Sequence, residues 1–192
     1  GFQDGPITRG FDEFYGICAS LDMPPYLYLS GDKPTELPNR TTGFTDGLNF
    51  WREGPTGPDF HHIDVLPTIE RKTIDFIHRQ ADSDVPFFAY VPLPAPHTPI
   101  LPIAEFRGRS QTNAYGDFCL QVDAFVGAVR DALEQTGKLD DTILVFTSDN
   151  GCSPQADIPE LHALGHHPSY VFRGHKADIY DGGHRVPLIV SW

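Results

Sequence analysis

Three continuously apolar runs constrain the fold of this chain more than any other feature: "PFFAYVPL" (86–93), "TILVFTSD" (142–149) and "VPLIVSW" (186–192). A run without polar alternation reads as a strand buried on both faces. Between the runs lie helical patterns. "PTIERKTIDFIHRQA" carries Ile69, Thr73, Phe76, Ile77 and Gln80 at helical spacing behind Pro67. A second helix is expected over about residues 112–135. Its stripe of Tyr115, Phe118, Cys119, Val122, Val126, Val129 and Leu133 follows a 3-and-4 rhythm, and Gly137 stands where a C-cap belongs. Helices alternating with two-sided strands predict an α/β fold, part of a large, mostly parallel sheet with helices on both faces.

Such sheets bind ligands outside the carboxyl ends of their strands. Two of the runs finish there on chemically capable groups: His97 follows the first in "PAPHTP", and Asp149 with Asn150 closes the second in "TSDNG". A carboxylate beside an amide oxygen suits a hard cation, Ca²⁺ or Mg²⁺, better than zinc. Gly151 is expected to let the backbone turn so that both side chains face one point. The alternative is a plain Asx turn. Prolines on both sides of His97 stiffen its loop.

The chain has 192 residues and a net charge of −12, which argues against a nucleic-acid partner, because phosphate binding needs clustered Lys and Arg. No stretch approaches the ~18 apolar residues that would cross a bilayer. Against this acidic background, "FRGHKADIYDGGHRVP" gathers Arg173, His175, Lys176, His184 and Arg185. Such a cluster is either a solvated basic face or a seat for a divalent anion. The three cysteines, Cys18, Cys119 and Cys152, show no CxxC spacing. Cys119, on the apolar helix stripe, reads as a buried thiol. His162, His166 and His167 lack the Glu of an HExxH motif, and Gly165 and Pro168 interrupt the helix such a zinc site needs.

Residues 1–66 are rich in turn formers and read as substrate-side loops with one short strand near Tyr26, Tyr28 and Leu29; residues 67–192 read as the α/β core. The chain opens on Gly1 without an initiator Met and stops inside an apolar run, so a central segment of a longer protein, truncated at both ends, is expected.

In order, "GFDEFYG", "PFFAYVPLPAPHTP", "YGDFCLQVDAFVGAV", "TILVFTSDNG" and "FRGHKADIYDGGHRVPLIV" resemble the sulfatases of the arylsulfatase A type, in the alkaline phosphatase superfamily. The resemblance runs from Gly10 to Trp192. It implies a sulfuric ester hydrolase acting on a sulfated small molecule or glycan, with a bound calcium (magnesium less so) and a formylglycine made from a Cys or Ser. It also implies a periplasmic, secreted or lysosomal setting. By the same resemblance Asp149 and Asn150 hold the metal. His97 contacts the sulfate and protonates the leaving group, and Lys176 holds the sulfate. Arg173, His175 and the loop from Asp22 to Tyr28 fall at the substrate rim.

The resemblance is incomplete. No C/S-x-P-x-R stretch occurs in the sequence, so the formylglycine precursor and its arginine are absent, as are the aspartate pair and Lys-x-His block expected before "GFDEFYG". The chain alone is therefore expected to be inactive. Phosphatase, phosphodiesterase and phosphonate hydrolase relatives of the superfamily remain open as alternatives, as does a non-catalytic binder of sulfated glycans.

Overall fold

Aromatic residues scattered through the turn-rich first third of the sequence build a sheet and a hairpin around one aromatic cluster. In the computed structural model, which describes residues 4–192, the chain divides into two units: Gly1–Thr73 with Tyr90–Leu101, and Ile74–Ala89 with Pro102–Trp192.

In the first unit β1 (Tyr15–Ile17), β2 (Tyr28–Ser30) and β3 (Lys33–Pro34) form an antiparallel sheet, with Gly16 opposite Leu29. A hairpin follows, β4 (Arg40–Asp46) and β5 (Asn49–Thr56). Its connection is Gly47–Leu48, and Gly47 takes the positive φ of 59° that a tight two-residue loop requires. A single parallel bridge joins Tyr26 to Thr56. Tyr26, Tyr28 and Phe60 are buried together, and Trp51 stacks on His62 with ring centroids 4.1 Å apart. The strand near Tyr28 stands as expected, but the single-strand reading of this region is corrected: its described residues hold five. The hairpin escaped because the register shifts between Thr42 and Phe44, which breaks the alternation that marks a strand.

Helix α1 (Val65–Arg79) forms where its spacing predicts, with residues 65–73 in the first unit and 74–79 in the second. In the second unit α2 (Ala114–Gln135) is capped by Asn113, whose side chain accepts from the backbone N–H groups of Tyr115 and Gly116. Gly137 ends the helix at φ 68°, with Lys138 N–H bonded to Leu133 O at 2.8 Å and Gly137 N–H to Glu134 O at 3.0 Å. That is the Schellman pattern expected of a glycine there. Ile77, Ala132 and Leu133 form a small core with Ile74, Phe76, Phe87 and Val129 around it. The buried Asp117 accepts from Gly108 N–H at 2.7 Å and Ser110 N–H at 2.9 Å, and these bonds hold its carboxyl below the usual range despite burial.

Strand β6 (Leu144–Thr147) pairs with β7 (Leu188–Ser191). Short helices α3 (Ile158–Ala163) and α4 (Asp181–His184) lie between them in sequence. The α/β class stands, but two details differ from the sequence reading. First, β6 and β7 run antiparallel, Val145 opposite Val190. Leu144, Phe146 and Ile189 line a cavity of about 140 Å³ with Val126 of α2, but Ile189 is itself exposed, as are Val145 and Val190 on the opposite face. Second, 86–93 forms no strand, and Phe88 and Tyr90 are exposed. Apolar composition qualifies a segment for a sheet, yet a strand also needs a ladder to a neighbouring strand, and 86–93 is not among the paired strands of the described residues.

Candidate active site

Beyond β6 the chain turns through Ser148, Asp149, Asn150 and Gly151. Ser148 Oγ donates to Asn150 O at 3.0 Å, which tightens the turn. Gly151 N–H donates to Gly183 O at 2.9 Å. A Cβ at Gly151 would overlap the Gly182 carbonyl oxygen, so this glycine is required by close backbone approach. The expected reason, a turn only glycine can make, is corrected: Gly151 is not among the glycines with positive φ.

The basic segment is drawn against this turn by main-chain bonds. Lys176 N–H donates to Cys152 O at 2.8 Å, and Gly182 N–H to Arg173 O at 2.8 Å. Within the segment His175 N–H reaches Asp178 Oδ2 at 2.9 Å, and the His175 ring lies 3.5 Å from the same carboxylate. The Arg173 guanidinium packs over the Tyr180 ring at 3.7 Å. Thus Asp149, Asn150, Arg173, His175 and Lys176 are brought into one neighbourhood of the second unit. Lys176 is half-buried, and its ammonium pairs with no carboxylate among the described residues. Asp149 is exposed, also without an ion-pair partner among them.

His97 belongs to the first unit. Its Nδ1 lies 2.7 Å from Thr98 O. A carbonyl only accepts, so Nδ1 carries a proton and Nε2 is the nitrogen left for other work. Asp22, on the loop that the sequence placed at the substrate rim, is buried. Its carboxylate accepts from Ser20 Oγ, pairs with Arg52 at 3.1 Å and stands 3.9 Å from His97 Nδ1. Sequence reasoning did not find Arg52 or Ser20. No local signal marks Arg52, because its contact depends on β5 passing the Asp22 loop, whereas Ser20 lies only two residues from Asp22.

Asp149 and Asn150 offer two hard oxygen donors, a fit to part of the shell of Ca²⁺, which takes ~6–8 oxygens. Among the described residues no group of three or more His, Cys, Asp or Glu is arranged to hold a metal. His162 and His167 pack ring against ring at 4.7 Å. Cys119 and Cys152 are half-buried, and both meet the Tyr115 hydroxyl. Burial raises the Cys119 thiol to about 11, which leaves it protonated and a poor nucleophile.

A family model described as Sulfatase matches residues 3–192. An N-acetylgalactosamine-6-O-sulfatase of Bacteroides thetaiotaomicron is 33% identical over 97% of this chain and 36% of its own length. An N-acetylgalactosamine-6-sulfatase of Mus musculus is 28% identical over 99% of this chain and 35% of its own length. A solved structure from work on the metabolism of multiple glycosaminoglycans by Bacteroides thetaiotaomicron superposes with a TM-score of 0.80 at 27% identity, over 95% of this chain and 45% of that one. The chain spans about a third of the length of the curated relatives it matches.

Proposed function

The chain belongs to the sulfatase family, and from that premise we infer that the protein carrying it hydrolyses sulfate esters of a carbohydrate. The observation that carries this reading is the family match over nearly the whole chain, two of whose relatives are named as sulfatases of N-acetylgalactosamine. A sulfated amino sugar is accordingly the substrate class we assign. The backbone tie between the Asp149 turn and the Lys176 segment supports it, since it gathers oxygen donors and a cation within one unit.

In this reading Lys176 holds a sulfuryl oxygen and neutralises charge as the S–O bond lengthens. Arg173 and His175 border the sugar. His97, with Nδ1 engaged by Thr98 O, delivers a proton from Nε2 to the departing sugar oxygen. Asp149 and Asn150 would hold a divalent cation, calcium ahead of magnesium, and its chemistry would be Lewis-acid stabilisation of the sulfuryl oxygens. Sulfatases in general use a formylglycine nucleophile. No residue here fits it, because none of the three cysteines lies in a C/S-x-P-x-R stretch. We therefore assign the nucleophile to no residue of this chain.

The test is product analysis with the full-length protein on matched sulfate and phosphate monoesters of N-acetylgalactosamine. Sulfate release at a rate well above phosphate release is expected. Phosphate release alone would transfer the protein to the phosphatase branch of the superfamily, and no release with sugar binding retained would make it a binding protein.

A further inference from the structure

Asp22 is a buried carboxylate, and its place on a loop expected at the substrate rim gives it no chemical role. Its side chain is 8% exposed, yet it is surrounded by donors: Ser20 Oγ, the Arg52 guanidinium at 3.1 Å, and the His97 ring with Nδ1 3.9 Å from Oδ1. The residue is anchored a second time through its backbone, where Asp22 O accepts from Arg52 N–H at 3.1 Å. Arg52 is in turn fixed by Tyr26, whose hydroxyl donates to Arg52 O at 2.7 Å. Asp22 therefore keeps its place while the exposed edge of His97 meets solvent.

We propose that Asp22 is a positioning residue for His97, setting which ring nitrogen is presented to the substrate. This rests on the reading of His97 as proton donor. A histidine that protonates a leaving oxygen begins with protons on both nitrogens. When the ester S–O bond breaks, the oxygen takes the electron pair and then the Nε2 proton, and a neutral ring with Nδ1–H remains. Thr98 O accepts from that N–H, and the Asp22 carboxylate adds a negative field on the same side of the ring. Both favour the tautomer the reaction produces and disfavour the one that would trap the proton on Nε2. Arg52 and Ser20 hold the carboxylate so that it does not swing away to solvent.

The test uses the full-length protein and a series of aryl sulfates from good to poor leaving groups. Asp22→Asn keeps the shape of the side chain and removes its charge. With poor leaving groups it should lower kcat ~10- to 100-fold, a share of the ~10²–10⁴ that a general acid contributes, with KM changed little. With the best leaving groups the loss should vanish. The double variant Asp22→Asn with His97→Ala should be no slower than His97→Ala alone, since residues acting as one unit are not additive. If Asp22→Asn does not fold, Arg52→Gln, changed at a more exposed side chain, should show a smaller loss with the same leaving-group dependence. A loss that is equal across the series while His97→Ala remains leaving-group dependent would overturn the positioning role and leave the proton-donor reading intact. Absence of leaving-group dependence in His97→Ala itself would overturn both.

Discussion

Lys176 and Cys152 are joined main chain to main chain, N–H to carbonyl at 2.8 Å, so the segment bearing the basic residues hangs on the residue that closes the Asp149–Asn150–Gly151 turn. Oxygen donors and ammonium are thereby coupled through backbone, and disturbing one should disturb the other.

Gly151 is the most sensitive point of that coupling. Gly151→Ala would drive a methyl group into the Gly182 carbonyl, an overpacking that typically costs ~1–3 kcal/mol. We expect a lower melting temperature and reduced calcium retention in the full-length protein. Gly127, inside α2 with open space around its Cβ position, is the control: Gly127→Ala should be neutral or stabilise by ~0.5–1 kcal/mol. Calorimetry of the two variants checks the contrast, and equal behaviour would contradict it.

The Asp149 turn itself makes a metal prediction. Asp149→Ala should strip most of the bound divalent ion from the full-length protein. Asn150→Ala should weaken it less, because a neutral amide contributes less than a carboxylate to a hard cation. Metal analysis after dialysis measures both. Unchanged content in Asp149→Ala would return the pair to the status of an Asx turn.

His62 gives a pH prediction independent of catalysis. Burial lowers its pKa to about 4, and between the rings of Trp51 and Tyr26 its Nε2 has no hydrogen-bond partner among the described residues. Because the folded value lies below the unfolded ~6.5, the unfolded chain binds the proton more readily between these values. The contribution of His62 is therefore complete above about pH 6.5 and is lost as pH falls towards 4, by at most ~3 kcal/mol. Melting temperature followed from pH 7 to pH 4 should fall, and His62→Phe should flatten that slope. A slope unchanged by His62→Phe would contradict the assignment.

Which parts of this structure were legible from residues follows from the range of the interactions. Helix α2 was legible because its apolar stripe and the Gly137 stop are both local. The turn after β6 was legible for the same reason, as a polar tetrapeptide ending an apolar run. The link from Cys152 to Lys176 was not, since it is made of backbone atoms that any sequence carries. The Asp22–Arg52–His97 contact joins two loops and strand β5, distant in sequence, and nothing local encodes it. The run at 86–93 misled in the other direction: its composition is that of a strand, but pairing is a property of neighbours.

Lys176 offers the most direct test, as the residue whose charge the proposed reaction needs in the transition state. The measurement is kcat/KM for sulfate release from a 6-sulfated N-acetylgalactosamine by the full-length protein, wild type against Lys176→Ala, with Lys33→Ala as the comparison. Lys138 is unsuitable as that control because its ammonium donates to Ser83 O at 2.9 Å, whereas Lys33 is exposed on β3. Loss of one preorganised donor should lower kcat/KM by ~10²–10³ in Lys176→Ala, and the exposed Lys33 should change it by less than about twofold. Equal kcat/KM in Lys176→Ala and wild type would contradict the proposal that this segment holds the sulfate.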